Sequence, residues 1–404
     1  MTTDTVGGVW HYSLTLCRAF RPHGVKVTLA TMGRALSAQQ RAAVAALPHV
    51  TCEESIYKLE WMPDPWADVA AAGRWLLHLA REARPEVVHL NGYAHGHLPF
   101  DAPVLMVAHS CVNSWWHACR GEGPPADWDA YTRAVYHGVQ GAGLLVAPTA
   151  TMLAAARRHY LPACDCRVIH NATDVPPGEP IDSDGKWPVV LSAGRLWDEA
   201  KNAAALARCK LPEGWELRLA GEAVEPGSNR SPPTNLTTLG HLDPAALAQE
   251  MAFAAVYALP CRYEPFGLSV LEAARNGCAL LLGDIPSQRE LWDGCALFVN
   301  PDDDAALQRA LDRLTRDVPL RRRLVSAARR RAGPYTPAAM ADGYLNAYAH
   351  LLTTHQARTL NDAPAPNDAG APNDARALNG ERALNGASAP GDTTAVALQE
   401  AGAT

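Results

Sequence analysis

The 404-residue sequence has no apolar run approaching the roughly 18–20 residues that cross a bilayer, so no membrane-spanning helix is expected. It has no basic excess either. Lys and Arg number 36 against 42 Asp and Glu, a formal net charge of −6, which argues against nucleic acid as a partner because phosphate backbones demand a basic face. Neither GxGxxG nor GxxxxGK[ST] occurs, which disfavours an NAD-dependent enzyme and a P-loop nucleotidase. The start, MTTDTVGGVWHYSL, lacks a basic region and an apolar stretch before a small-residue cleavage site, so no signal peptide is read there and a cytoplasmic location is expected. Ten cysteines are present without a CxxC pair. The local cluster His109, Cys111, His117 and Cys119 has no recognised zinc spacing, so no metal is expected and the thiols read as small buried hydrophobes.

What the chain does have is a repeated alternation of short apolar strands and helical patterns, the signature of parallel sheets covered by helices. Strands are expected at Val25–Ala30, Val87–Leu90, Val104–His109, Leu144–Ala147 and Val168–Ile169, with helices such as Val69–Ala83 and Thr149–His159 between them. A Pro/Gly/Asp-rich stretch, VPPGEPIDSDGK, interrupts the pattern. It then restarts with strands at Val189–Ala193, Glu216–Ala220, Val256–Leu259, Ala279–Leu282 and Leu297–Val299. The expected organisation is an α/β unit over 1–173, a linker at 174–187, a second α/β unit over 188–335, a helix at 336–354 and a tail from 355 to 404. That tail repeats near-copies of APND and ALNG with few bulky apolar residues and is expected to be disordered. GGVW follows only six residues, so the strand before it reads as clipped, and Met1 as an internal methionine of a longer strand.

Three places carry candidate chemistry. Gly7-Gly8 closes a strand and opens a helix, where backbone N–H groups and the helix dipole favour an anion; the alternative is a mere turn. Arg195 and Lys201 lie six residues apart beyond a strand's carboxyl end and could clamp a diphosphate from two sides; the alternative is two solvated loop residues. The block YEPFGLSVLEAARNG sets Glu264 before a Pro-Phe-Gly turn and Glu272 eight residues later in the helix it opens. That helix's free N–H groups would face a ligand, and the Glu272 carboxylate could grip a vicinal diol such as ribose. The aspartates 302–304 read as a helix cap and first turn.

EPFGLSVLEA resembles the E-x7-E signature of GT-B glycosyltransferases, specifically the retaining family 4 (glycosyl transferase group 1). GGVW, PEVVHL before Asn91, VAHS around His109, VIHNATD, AGRLWDEAKN and LGHLD follow in the family's order, so the resemblance runs from Gly7 to Leu352. It implies the GT-B fold: two Rossmann-like α/β domains facing across a cleft, with a C-terminal helix returning to the N-terminal one. It also implies a nucleotide-sugar donor, a carbohydrate or lipid-linked acceptor, retention of configuration and no cofactor or metal. Donor contacts would fall to Gly7, Gly8, Arg195, Lys201, Glu264, Phe266, Gly267, Leu268 and Glu272, with His109 near the anomeric carbon; of these His109, Glu264, Arg195 and Lys201 would be catalytic. For His109 the alternative is a core histidine ending a buried strand.

His170-Asn171-Ala172 departs from the family's Pro-Asn-Gly at that turn. Two other functions stay open: a catalytically dead module that only binds, and an epimerase or phosphorylase on the same fold. The arginine-rich helix at 320–332 is a solvated face or, with a lipid-linked acceptor, a weak peripheral membrane contact. Trp115-Trp116 and Trp61-Met62 read as acceptor contacts or core.

Overall fold

A computed structural model of the chain describes residues 1–178, 185–222 and 237–361. The first half runs β1 (Thr2–Asp4), α1 (Gly8–Phe20), β2 (Val27–Met32), α2 (Ala38–Ala45), β3 (Val50–Glu54), α3 (Trp66–Ala83), β4 (Val88–Leu90), β5 (Val104–Val107), α4 (Val112–Arg120), α5 (Asp129–Gly141), β6 (Leu144–Ala147), α6 (Ala150–Tyr160) and β7 (Asp165–Val168). The second runs β8 (Trp187–Ala193), α7 (Ala203–Arg208), β9 (Glu216–Ala220), β10 (Thr237–Gly240), α8 (Pro244–Phe253), β11 (Ala254–Leu259), α9 (Leu268–Arg275), β12 (Ala279–Gly283), α10 (Pro286–Trp292), β13 (Ala296–Val299), α11 (Asp304–Arg316), α12 (Val318–Ala332) and α13 (Pro337–Asn361).

All strand pairs are parallel, and the central strands are apolar along their length because both faces are covered. The C lobe is a six-stranded sheet in the order β10-β9-β8-β11-β12-β13. The N lobe forms two pieces, β1-β2-β3 and β4-β5-β6-β7. Where a continuous sheet would join β1 to β4, Asn91 bridges instead: its backbone N–H donates to Thr2 Oγ1 at 2.9 Å and its Nδ2 to the Thr2 carbonyl at 2.8 Å. The short first strand is thus present and paired to β2 over Thr2–Asp4.

Several expectations shift. β3 and β10 went unpredicted, and neither has an apolar run: VTCEE is largely half-exposed and TTLG is half polar. The final helix continues to Asn361, past the expected end at 354, so the tail begins later than 355. Of the expected disordered tail, residues 362–404 lie outside the described residues, as do 179–184 of the linker. Asp303 caps α11 as expected, accepting from Ala306 N–H at 2.8 Å. No helix among the described residues is long and apolar enough to cross a membrane.

The N lobe's core is completed from outside its own sequence. Tyr344, Ala347 and Leu351 of α13 pack with Leu16 of α1 and with Leu105 and Leu144 of the sheet. On the other face, α5 comes so close to the turn after β4 that only glycine fits. A Cβ on Gly138 would lie 1.8 Å from the Tyr93 carbonyl oxygen, and one on Gly96 would lie 2.2 Å from that of Gly138. Because the clashing atoms are backbone, Gly138→Ala is expected to cost roughly 3 kcal/mol or more by overpacking. Gly123→Ala, which meets nothing within 4 Å, should be near neutral. Urea midpoints of the two variants check this.

Candidate active site

Both lobes reverse their strand order once, and in such sheets ligands bind beyond the carboxyl ends at the reversal. In the C lobe the reversal lies between β8 and β11, whose ends carry Arg195 and Glu264. Lys201 Nζ donates to Glu264 Oε2 at 2.5 Å, with both side chains less than one-fifth exposed. Burial alone would pull the Lys201 ammonium down; the Glu264 carboxylate outweighs it and leaves the ammonium raised. Arg195 Nη2 donates to Asp198 Oδ2 at 2.8 Å and lies 5.5 Å from the Trp197 ring centroid. The EPFG turn is held by α10: Ser287 Oγ donates to the Glu264 carbonyl at 2.6 Å and Gln288 Nε2 to that of Phe266 at 3.3 Å. Gly267 sits at φ 87°, and its missing side chain leaves room for Glu264 and Gln288.

The N-termini of α9 and α1 approach one another between the lobes. A Cβ on Gly8 would lie 3.9 Å from Leu268 Cδ1, so the Leu268 side chain reaches toward the start of α1. Neither end has a side-chain cap, whereas α2, α4, α6, α8, α11 and α12 all do. Gly7 at φ 114° opens α1. Two positive helix ends turned toward one another favour an anion between them.

Glu272, in the second turn of α9, accepts from Thr173 Oγ1 at 3.0 Å. The next residue, Asp174, accepts from Thr15 Oγ1 at 2.8 Å and from Arg18 Nη1 at 2.7 Å on α1. Burial pushes the Glu272 carboxyl up to about 7, against the Thr173 hydrogen bond and Arg275. Further bonds join the lobes around the cleft. Tyr263 Oη shares a 2.7 Å bond with Ser114 Oγ, Thr149 Oγ1 donates to the Pro265 carbonyl at 3.0 Å, and Trp115 Nε1 donates to Asp198 Oδ1 at 3.2 Å. Glu290 of α10 caps α6, accepting from Ala150 N–H at 2.7 Å and Thr151 N–H at 2.8 Å.

The N-lobe side of the site centres on Asn91. Its Oδ1 accepts from Nε2 of His109 at 2.8 Å and of His89 at 3.2 Å, because its Nδ2 is committed to Thr2. That fixes both tautomers, and His89 Nδ1 is left to accept from Tyr348 O–H at 2.6 Å. Burial pushes His109 down to about 3, so its imidazole is neutral. Glu60 accepts from the backbone N–H groups of Tyr93 at 2.9 Å and Ala94 at 2.8 Å, holding the turn that carries Asn91. Asp4, at the end of β1, accepts the Val6 N–H; burial pushes its carboxyl up to about 7 against that bond and the nearby Arg195 and Arg34.

Of the residues singled out in the sequence, Lys201 pairs with Glu264, Gly267 lies against Glu264 and Gly8 lies near Leu268, while His109 stands with Asn91 at an N-lobe cavity. Two details differ from expectation: the cations are not free, since Lys201 is paired with Glu264 and Arg195 with Asp198. Trp115 joins the lobes through Asp198, while Trp61 borders the N-lobe cavity beneath His109. Asp4, Glu60, Thr173, Asp198 and Tyr263 were missed. Asp4 and Asp198 stand three residues from Gly7 and Arg195, a proximity that flags them; Glu60 carried no local signal. No group of three or more His, Cys, Asp or Glu among the described residues is arranged to hold a metal ion.

The family model Glycosyltransferase Family 4 matches residues 6–175 and the model Glycosyl transferases group 1 matches residues 180–331. Among solved structures, sucrose-phosphate synthase from Thermosynechococcus elongatus superposes with a TM-score of 0.70 at 19% identity, over 87% of this chain and 96% of that one. HepE of Anabaena in complex with UDP-glucose gives 0.64 at 17% identity, over 87% and 98%. WaaG, a glycosyltransferase involved in lipopolysaccharide biosynthesis, gives 0.62 at 15% identity, over 85% and 98%. No curated protein sequence matches.

The raised Glu272 carboxyl makes a stability prediction. Its folded value of about 7 exceeds the ordinary 4.5, so between those pH values the folded chain holds a proton that the unfolded chain has released. Stability contributed by the neutral carboxyl is complete below 4.5 and lost as pH rises through 7. Glu272→Gln keeps an oxygen for Thr173 and removes the titration. The variant is expected to gain on the native protein by about 1–3 kcal/mol at pH 8, with the difference closing toward pH 5. Urea midpoints across that range check it.

Proposed function

The chain is a GT-B glycosyltransferase, its N lobe belonging to Glycosyltransferase Family 4 and its C lobe to glycosyl transferases group 1, and on that footing we propose that it moves a sugar from a nucleoside-diphosphate donor to a carbohydrate or lipid-linked hydroxyl, with retention of configuration and without a metal ion. The observation that carries the reading is the gathering of Arg195, Lys201, Glu264 and Glu272 around the uncapped end of α9, opposite Gly8.

In this reading the diphosphate lies between the ends of α1 and α9, and Arg195 and Lys201 neutralise the charge that grows as it departs. Glu272 takes the ribose hydroxyls. Glu264 and the backbone of Phe266, Gly267 and Leu268 orient the donor sugar, with neutral His109 beside its anomeric carbon. The bond from that carbon to the diphosphate oxygen breaks, a bond to the acceptor oxygen forms on the same face, and the acceptor's proton passes to the departing phosphate. Glycan, polysaccharide or glycolipid synthesis would use such a step. HepE binds UDP-glucose, which makes UDP the first nucleotide to try. Arg321, Arg330 and Arg331 of α12 donate to protein acceptors.

Calorimetric titration of UDP, GDP and ADP with EDTA present tests this. One nucleotide is expected to bind, and Arg195→Ala to weaken it about tenfold or more. The same variant should slow turnover of the matching sugar nucleotide by about 100–1,000-fold. Binding that requires a divalent ion would overturn metal independence, and failure of every nucleotide would overturn the donor site.

A further inference from the structure

The cavity beneath His109 has a volume of about 70 Å³ and is lined entirely by N-lobe residues, among them Asp4, Glu60, Trp61, Asn91 and Tyr93. The groups assigned to the donor's phosphates and ribose belong mostly to the C lobe, so the cavity is the place left for the molecule that receives the sugar. Its size exceeds the roughly 10–15 Å³ that one water needs and suits one hydroxyl-bearing edge of a sugar ring.

Most polar atoms near Asp4 are already used. Glu60 is filled by backbone N–H groups, Asn91 Oδ1 by two imidazoles, and Thr3 Oγ1 by Ser13. Asp4 differs. Its Oδ1 accepts the Val6 N–H, whereas Oδ2 has no partner among the described residues. The turn that carries it is rigid: Thr5 Oγ1 donates to the Arg34 carbonyl at 2.8 Å and accepts from the Arg34 N–H at 2.8 Å. With Nε2–H of His109 given to Asn91, its Nδ1 is a second acceptor without a donor. Two acceptors with open lone pairs at one cavity call for a ligand that brings O–H groups.

We infer that Asp4 is a substrate-binding residue whose Oδ2 accepts a hydrogen bond from a hydroxyl of a carbohydrate acceptor. The inference rests on the glycosyltransferase reading and adds the residue that recognises the acceptor. Asp4→Asn separates this role from a structural one, because asparagine retains an oxygen for the Val6 N–H and puts an amide donor where the Oδ2 acceptor stood.

The experiment is saturation-transfer NMR of the full chain, saturated with UDP, against the methyl α-glycosides of glucose, galactose and mannose. The native protein is expected to bind at least one of them. Asp4→Asn should weaken that glycoside about tenfold or more while the UDP affinity, read by calorimetry, stays as in the native protein. Asp4→Ala should weaken it at least as far, and thermal melts confirm that either variant is folded. A glycoside that binds the Asn variant as tightly as the native protein, or a native protein that binds none of the three, overturns the inference and leaves the donor reading standing. Where GDP or ADP binds in place of UDP it replaces UDP in this experiment, and failure of all three to bind the native protein takes down both.

Discussion

Two helix ends of the same electrostatic sign face each other across the cleft, and the surrounding structure is arranged to keep them there. The ends of α1 and α9 meet where Gly8 approaches Leu268, and neither end carries the side-chain cap that six other helices use. Aligned peptide dipoles leave partial positive charge at each end, so the two ends repel one another mildly. The carboxylates of Glu264 and Asp198 compensate the adjacent cations. A doubly charged diphosphate entering between the ends would meet N–H donors already aimed inward, so little reorganisation is left for the chemical step.

The connections that fix this geometry are polar. Tyr263 with Ser114, Thr149 with the Pro265 carbonyl, Glu290 with the start of α6 and Glu272 with Thr173 each join the lobes by hydrogen bonds. Such bonds contribute about 1 kcal/mol each net, since water replaces them when they part. The lobes are therefore set in register by a few directional contacts, while each lobe keeps its own apolar core. Thr173 and Asp174 have a special place because they stand where the first lobe passes into the linker: one reaches α9 and the other α1, so the crossing point of the chain also ties both helices.

Much of this was legible in the sequence, for identifiable reasons. Strands buried on both faces announce themselves as apolar runs, which is why β5, β6, β11 and β12 were found within a residue or two. The turn at Pro265-Phe266-Gly267 carries its conformation in its residue types. Half-exposed β3 has no such run and was missed. Site residues on the C-lobe loops could be read because their spacing along the chain is short. Glu60 could not, because its partners at Tyr93 and Ala94 are backbone groups more than thirty residues away, brought near by folding alone. The pairing of Lys201 with Glu264 spans 63 residues and was hidden for the same reason.

Helix α13 supplies Tyr344, Ala347 and Leu351 to a core otherwise built from the N-terminal half, and its Tyr348 hydrogen-bonds His89, the partner of Asn91. This reverses the usual order of assembly on the ribosome, where the earlier domain finishes before the later one emerges. Here the first lobe lacks one wall until the second has been synthesised, a wait of many seconds at roughly 5–20 residues per second. During that interval Leu105 and Leu144 lack the part of their cover that Tyr344, Ala347 and Leu351 provide. The N lobe thus carries exposed apolar surface during synthesis, and the hydrogen bond from Tyr348 to His89 can form only once α13 has arrived.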